Sequence, residues 1–159
     1  MKNKIISIVI PVYNEEENVL TTYNEIKNVL NEHNSYDHEI IFTDNCSQDK
    51  TFSLLKQISA EDKCVKVIRF SKNIGYQKSI LHGTINTSGD AVVHIDGDIQ
   101  DPPILIKNFI SHWEKGYQVV YGVRITRKEN LFINSLRSLF YKFINLISDE
   151  PIPIDAGDF

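Results

Sequence analysis

The chain has 159 residues, of which 42% are hydrophobic and 24% are charged. These fractions are ordinary for a globular protein and exclude a disordered or low-complexity chain, and the length suits one domain with its own core. The formal net charge of −4 argues against a nucleic-acid-binding protein, because such proteins present a basic surface.

The sequence predicts strands and helices that alternate along the chain. Apolar runs rich in β-branched residues predict strands at residues 5–10, 39–43, 65–70, 91–95 and 119–123. Helical spacing or helix-start signals predict helices that begin after residues 15–17, after residues 47–49, at Gly75 and after Pro102-Pro103. This order predicts an α/β fold with a mostly parallel sheet and helices on both faces.

The start of the chain and its cysteines give information about the cellular compartment of the protein. The first apolar run is short and ends at Pro11 without a small-residue cleavage site, so it predicts a strand and not a secretion signal. No uncharged apolar run reaches the length of about 18 residues that a membrane-spanning helix needs. Cys46 and Cys64 lack zinc-site spacing, and we expect reduced thiols, with one disulfide as the alternative.

Acidic and amide residues follow three of the predicted strands directly. Asn14-Glu15 follows the first strand, Asp44-Asn45 the second, and Asp96-Gly97-Asp98 the fourth. Ligands of parallel α/β sheets bind at the carboxyl ends of the strands. The placement of these residues therefore predicts a ligand site at that edge.

The Asp96-Gly97-Asp98 segment has the chemistry of a cation site. Two carboxylates that flank a glycine suit a hard divalent cation, Mg²⁺ or Mn²⁺, which would share its ligands with a substrate phosphate. The alternative is a solvated acidic turn. The position after a buried strand, and the Gln100-Asp101-Pro102-Pro103 that follows, favour the cation site.

The segment from Asp44 to Asp49 has two interpretations. Its carboxylate, amide and hydroxyl groups could bind a nucleotide, with Asp44 accepting a hydrogen bond from a base. Alternatively the segment forms an Asx-type turn and a helix cap, which is the expected role of Asp49.

Several segments together resemble one family. The segments that carry the resemblance are Ile8 to Glu16, Thr43-Asp44-Asn45-Cys46-Ser47-Gln48-Asp49-Lys50-Thr51, Asn73 to Lys78, Asp96-Gly97-Asp98-Ile99-Gln100-Asp101-Pro102-Pro103 and Asp155-Ala156-Gly157-Asp158-Phe159. They are similar to motifs of the inverting, nucleotide-sugar-dependent glycosyltransferases of family 2, which have the GT-A fold. The fourth and fifth segments are similar to the branch of dolichyl- and polyprenyl-phosphate sugar transferases. Asn45 and Cys46 depart from the family's usual Asp-Asp-Gly-Ser pattern.

The resemblance implies a nucleotide-sugar pocket and a metal site. The residues implied to bind the nucleotide are Pro11, Tyr13, Glu15, Asp44, Asn45, Lys78, Asp96 and Gly97, with Asp44 at the base edge. Those implied to bind Mg²⁺ or Mn²⁺ are Asp96, Asp98 and Gln100.

The resemblance also implies an acceptor side. Asp158 and Arg124 are the implied catalytic residues, and Arg124, Arg127 and Arg137 would contact the acceptor phosphate, since an arginine fork binds two oxygens. Surface arginines and a terminal loop carboxylate are the alternatives. The implied partners are a UDP- or GDP-sugar and a lipid phosphate, without nucleic acid.

Residues 131–148 have the pattern of a basic, amphipathic helix rich in aromatic residues. Such a helix suits a membrane surface or a homo-oligomer contact, and packing on its own domain is the alternative. We therefore expect a nucleotide-sugar-binding core at residues 1–128 and, at residues 129–159, this helix and the start of an acceptor-side region. The resemblance stops inside its last motif, so we expect a longer native protein at the cytoplasmic face of a membrane.

The expected function is metal-assisted, inverting transfer of a sugar from a nucleoside diphosphate to a polyprenyl or dolichyl phosphate. One alternative is a family 2 transferase acting on a saccharide acceptor in cell-surface polysaccharide synthesis. Another is a nucleotide-sugar-binding module without turnover. A phosphatase of the haloacid dehalogenase type is disfavoured, because Ile99 follows Asp98 and the motif lies late in the chain.

Overall fold

The computed structural model describes residues 4–32, 35–98 and 102–122. In these ranges four strands alternate with four helices: β1 (Ile5–Val12), α1 (Val19–Asn31), β2 (Asp37–Asp44), α2 (Thr51–Glu61), β3 (Val65–Arg69), α3 (Tyr76–Ile85), β4 (Ala91–His94) and α4 (Leu105–Glu114). All eight elements lie in one compact unit that ends at Val120.

The four described strands form one parallel sheet in the order β3-β2-β1-β4. The chain runs outward from β1 through β2 to β3 and then returns to the other side of β1. Because such crossovers are right-handed, the reversal places α3 on the face opposite α1 and α2. The predicted mostly parallel α/β fold with helices on both faces is confirmed.

The core is centred on β1 and β2, which have neighbours on both sides and helices on both faces. Their side chains are almost completely buried, which explains why residues 8–10 of β1 and residues 40–42 of β2 are consecutive apolar residues instead of alternating with polar ones. The largest fully buried side chains of these strands are Ile6, Ile8, Ile10, Ile40, Ile41 and Phe42.

Helix α3 packs unusually closely on the sheet at Gly83. A Cβ atom at Gly83 would lie 2.3 Å from Val9 Cγ1 and 3.1 Å from Thr43 Cγ2. One turn earlier in the helix, the buried Ser79 hydroxyl donates to Thr43 Oγ1 at 2.9 Å. These contacts fix α3, and with it the residues at its amino end.

One local prediction differs from the structure. Residues 119–122 form no strand, although their composition is typical of one, and Val119 is 79% exposed. A strand needs a hydrogen-bonding partner as well as β-branched residues. Helix α1 begins at Val19, after residues 15–17 as predicted, and the Glu15 carbonyl accepts hydrogen bonds from the Asn18 and Val19 N–H groups in the preceding turn.

Several predictions lie outside the described residues: the amphipathic helix at 131–148 and the boundary between residues 128 and 129. Within the described ranges, no helix combines the length and the hydrophobicity that crossing a bilayer requires. Cys46 and Cys64 are both free thiols, as expected.

Candidate functional site

A cleft of about 400 Å³ opens at the carboxyl ends of the strands. Its walls come from the segments that follow β1, β2, β3 and β4, which is the edge where the sequence predicts a ligand site. The lining residues are Pro11, Val12, Tyr13, Glu15, Asn45, Asn73, Gly75, Tyr76, Asp96, Gly97 and Asp98.

Hydrogen bonds tie the loop after β1 to the loop after β2. The Asn14 N–H donates to Ser47 Oγ at 2.9 Å, and the Gln48 N–H donates to Asn14 Oδ1 at 2.8 Å. Asn14 has φ 55°, in the left-handed region that asparagine tolerates better than most residues. This turn brings Tyr13, which is 46% exposed, and Glu15 to the cleft.

Asn45 joins the loops after β2 and β3. Its N–H donates to the Val12 carbonyl at 2.9 Å, and its Oδ1 accepts a hydrogen bond from the Ile74 N–H at 3.0 Å. The next turn is closed by the Gly75 N–H, which donates to Asn73 Oδ1 at 2.9 Å, and Gly75 has φ 87°. This end of the cleft therefore carries amide groups.

Asp44 does not line the cleft. Its side chain is fully buried on the other side of the loop, where Oδ1 accepts a hydrogen bond from the Ser47 N–H and Oδ2 lies 3.3 Å from Arg69 Nε. Arg69 stacks on the Phe52 ring at 4.2 Å. The structure thus brings Asn45, and not Asp44, to the wall of the cleft, while Asp44 and Arg69 stabilise the loop from behind.

Asp96, Gly97 and Asp98 form the opposite end of the cleft, after β4. The Tyr76 hydroxyl donates to Asp96 Oδ1 at 2.5 Å. The Gly97 carbonyl accepts a hydrogen bond from Thr22 Oγ1 at 2.9 Å. A Cβ atom at Gly97 would lie 2.8 Å from Val12 Cγ1, so glycine lets this loop pack directly on the end of β1.

The donor set at this end fits a hard divalent cation. Asp96 and Asp98 contribute carboxylate oxygens to the same cleft. The described ranges contain no cluster of three or more His, Cys, Asp or Glu side chains that could hold a metal. A cation here would take its remaining ligands from phosphate oxygens and water, which is how Mg²⁺ usually binds in phosphate-handling sites.

Other predicted site residues lie elsewhere. Lys78 is exposed on α3 and is not among the residues that line the cleft. Five further residues lie outside the described ranges: Gln100, Arg124, Arg127, Arg137 and Asp158.

Sequence reasoning did not assign four of the lining residues to the site: Val12, Asn73, Gly75 and Tyr76. Val12 belongs to one segment that carries the family resemblance, and Asn73, Gly75 and Tyr76 belong to another, so a signal for all four existed. Tyr76 reaches the site through its side chain, and nothing in the local sequence indicates its contact with Asp96.

The family model described as Glycosyl transferase family 2 matches residues 7–159. Among curated relatives, an uncharacterized glycosyltransferase YkcC from Bacillus subtilis is 42% identical over 96% of this chain and 47% of its own length. A prophage bactoprenol glucosyl transferase homolog from Escherichia coli is 34% identical over 97% of this chain and 50% of its own length. The chain thus spans about half the length of these relatives.

Among solved structures, the chain is similar to glucosyl-3-phosphoglycerate synthase from Mycobacterium tuberculosis, which was crystallised with Mn²⁺, UDP and glucosyl-3-phosphoglycerate. The TM-score is 0.65 at 21% identity, over 96% of this chain and 55% of that one. At this identity the similarity concerns the fold, and it agrees with the predicted GT-A architecture.

Proposed function

Because the chain belongs to glycosyl transferase family 2, we propose that it forms the donor-binding part of an enzyme that transfers a sugar from a nucleoside diphosphate to a polyprenyl phosphate. The similarity to a bactoprenol glucosyl transferase homolog supports this acceptor over a saccharide. The proposal concerns a longer enzyme, since the relatives are about twice as long as the chain.

The observation that carries the proposal is that the two ends of the cleft present different polar groups. Carboxylates follow β4 at one end and amides follow β2 and β3 at the other, with β1 between them. Neighbouring strands lie about 4.8 Å apart, so the ends of β4 and β2 are separated by roughly 10 Å. This spacing suits a nucleoside diphosphate, with its phosphates near Asp96 and Asp98 and its base near Asn45 and Asn73.

Asp96 and Asp98 are the residues that would hold Mg²⁺ or Mn²⁺, and Gln100 is a further proposed ligand. When bound, the cation would neutralise negative charge on the diphosphate leaving group. The chain's own contribution is to fix the donor. Gly97 allows the carboxylate loop to pack against β1, and the paired loops after β1 and β2 hold Tyr13 and Glu15 at the cleft.

The acceptor side of the proposal rests on residues outside the described ranges. Arg124, Arg127 and Arg137 would bind the lipid phosphate, with Arg124 and Asp158 close to the reacting atoms. A phosphate acceptor is already anionic, so it needs cationic positioning more than deprotonation. Attack from the face opposite the diphosphate would invert the configuration at the anomeric carbon.

We further propose that the whole protein works at the cytoplasmic face of a membrane, and that residues 131–148 contact the membrane or a second copy.

Calorimetric titration of the chain with UDP and GDP, in Mn²⁺, in Mg²⁺ and in EDTA, tests the donor site. We expect one nucleotide to bind at least tenfold more tightly with a cation present. Asp98→Ala should abolish that gain, and Glu25→Ala, which removes an exposed carboxylate on α1, should leave it unchanged. Absence of cation-linked binding for both nucleotides would contradict the donor site.

Turnover tests the rest of the proposal. The chain and the longer protein are each incubated with UDP- or GDP-sugars and a polyprenyl phosphate. We expect at least one of the two proteins to form a lipid-linked sugar. Product on a saccharide but not on the lipid phosphate would overturn the acceptor. Donor binding with no product from the longer protein would indicate a binding module.

A further inference from the structure

One contact in the cleft joins two elements that are distant in the sequence. Tyr76 is the first residue of α3, and its hydroxyl donates to Oδ1 of Asp96, which follows β4. The 2.5 Å separation is that of a charge-assisted O–H···O bond. Through this bond the amino end of α3 holds a carboxylate of the acidic loop.

The tyrosine end of this contact is rigid. Gly75, with φ 87°, turns the chain into α3 immediately before Tyr76. The helix is then fixed to the sheet by the buried Ser79–Thr43 hydrogen bond and by the close packing of Gly83 on Val9. The backbone that carries the Tyr76 side chain is therefore fixed, and the contact restricts the carboxylate.

We propose that Tyr76 is a positioning residue for the cation site, an inference that rests on the proposed donor function. Because Oδ1 of Asp96 accepts the tyrosine hydroxyl, the orientation of this carboxylate is set before a cation or a donor binds. Tyr76 would thereby reduce the cost of ordering Asp96 when the cation binds.

The expected effect follows from what outer-shell hydrogen bonds do at metal sites. Removing a group that orients a ligating side chain typically weakens metal affinity by about 10–100-fold, because the ligand must then be ordered upon binding. Tyr76 is 37% exposed, so water can replace part of its hydrogen bond. We therefore expect a loss near the lower end of that range, about tenfold.

The test is Mn²⁺ binding to the full chain with saturating UDP or GDP, followed by the electron paramagnetic resonance signal of free Mn²⁺. Tyr76→Phe keeps the ring and removes the hydroxyl, and we expect it to weaken Mn²⁺ binding about tenfold. Tyr117→Phe, at a 59% exposed tyrosine outside the cleft, is the matched control and should bind as the parent chain does. Nucleotide affinity in EDTA should be the same for all three proteins, which a general disturbance of the cleft would not allow.

Each remaining outcome has a distinct meaning. If Tyr76→Phe binds Mn²⁺ as the parent does while Tyr76→Ala is weaker, the ring matters and not the hydroxyl, and the positioning role is overturned. Equal binding by all variants overturns it as well. If the parent chain itself binds no Mn²⁺ with either nucleotide, the proposed donor function fails, and the inference fails with it.

Discussion

The two ends of the strands differ in where their carboxylates lie. Toward the amino ends of the strands, carboxylates are matched by partners within the protein. Glu39 is buried and accepts hydrogen bonds from Ser7 Oγ at 2.6 Å, Lys66 Nζ at 2.6 Å and the Ser88 N–H at 2.5 Å. Asp62 accepts one from Tyr23 and forms an ion pair with Lys27.

At the carboxyl edge, the backbone is shaped around a cleft. Both non-glycine residues with positive φ in the described ranges, Asn14 and Cys46, lie there. Two carboxylates, Asp96 and Asp98, share the same cleft wall. The contrast indicates that Glu39 and Asp62 at the amino edge stabilise the fold, whereas Asp96 and Asp98 at the carboxyl edge line the proposed donor site. Substitutions at the two edges should therefore affect different measurements.

The largest loss of stability is expected from Glu39→Ala at the amino edge. It leaves the hydroxyl of Ser7 and the N–H of Ser88 without their acceptor, at a cost of about 3 kcal/mol in the free energy of unfolding. Urea denaturation at pH 7 measures this cost. Nucleotide binding should be unchanged, and Glu25→Ala, which removes an exposed carboxylate, should change stability by less than about 0.5 kcal/mol.

The same carboxylate makes stability depend on pH. Burial raises the pKa of Glu39, but the hydrogen bonds from Lys66, Ser7 and Ser88 outweigh it and lower the pKa from 4.5 to about 2. Its contribution is therefore complete above pH 4.5 and is lost as the pH falls toward 2. Glu39→Ala should flatten the stability profile in that window, and an unchanged profile would contradict this assignment.

A smaller loss, about 1–2 kcal/mol, is expected from Asp62→Asn, since this pair is more exposed than Glu39. Burial opposes ionisation of Asp62, but Lys27, the Cys64 N–H and Tyr23 lower its pKa from 3.8 to about 2. Its contribution is thus present above pH 3.8 and lost as the pH falls toward 2. The asparagine keeps an oxygen for the Cys64 N–H, but its amide NH2 group replaces the Oδ2 atom that accepts from Tyr23 and pairs with Lys27.

Tyr23 reports on this pair spectroscopically. Burial and the hydrogen bond to Asp62 raise the pKa of Tyr23 from 10.0 to about 12. In Asp62→Asn the pKa should fall toward 10, which ultraviolet titration of tyrosinate measures. Tyr23→Phe identifies the transition, because it removes that step and leaves the other tyrosines. A Tyr23 pKa that stays near 12 would show that burial alone raises it.

The smallest effect is a gain at the carboxyl edge. Cys46 has φ 65°, a conformation that costs a residue with a Cβ atom about 1 kcal/mol. Cys46→Gly should relieve this strain, although glycine also makes the unfolded chain more flexible, which favours unfolding. The net effect should be a stabilisation of about 0.5 kcal/mol. Cys46→Ser keeps the Cβ atom and should bring no gain. Equal stability of the two variants in thermal unfolding would argue against strain at this edge.

Much of the architecture could be predicted from the sequence, because β1, β2, β3 and β4 are each rich in apolar, mostly β-branched residues and are separated by helical patterns. The position of the cleft at the carboxyl ends of the strands could be predicted from the topology, because acidic and amide residues directly follow three of the predicted strands. The expected family was confirmed by a match to residues 7–159. The assignments of individual site residues remain predictions.

What could not be predicted depends on single-residue register and on distant contacts. Asp44 and Asn45 are adjacent polar residues, and either could face a ligand. The bond from the Asn45 N–H to Val12 sets the register that directs one inward and the other to the cleft. The Tyr76 contact spans 20 residues and depends on how closely α3 packs on the sheet. The expected strand at residues 119–123 had the right composition, but residues 119–122 lack the pairing that a strand requires.

The central position of β1 has a consequence for how the protein is made. This strand is translated before the other three described strands, yet β4, its partner on one side, follows much later in the chain. The bond from the Ile5 N–H to the Asp90 side chain spans 85 residues. During synthesis, the N–H and C=O groups on one edge of β1 lack their native partners until residues 91–94 have emerged from the ribosome, and such edges can pair with other chains. The arrangement that places β1 beneath the middle of the cleft therefore also delays the completion of its pairing until β4 is made.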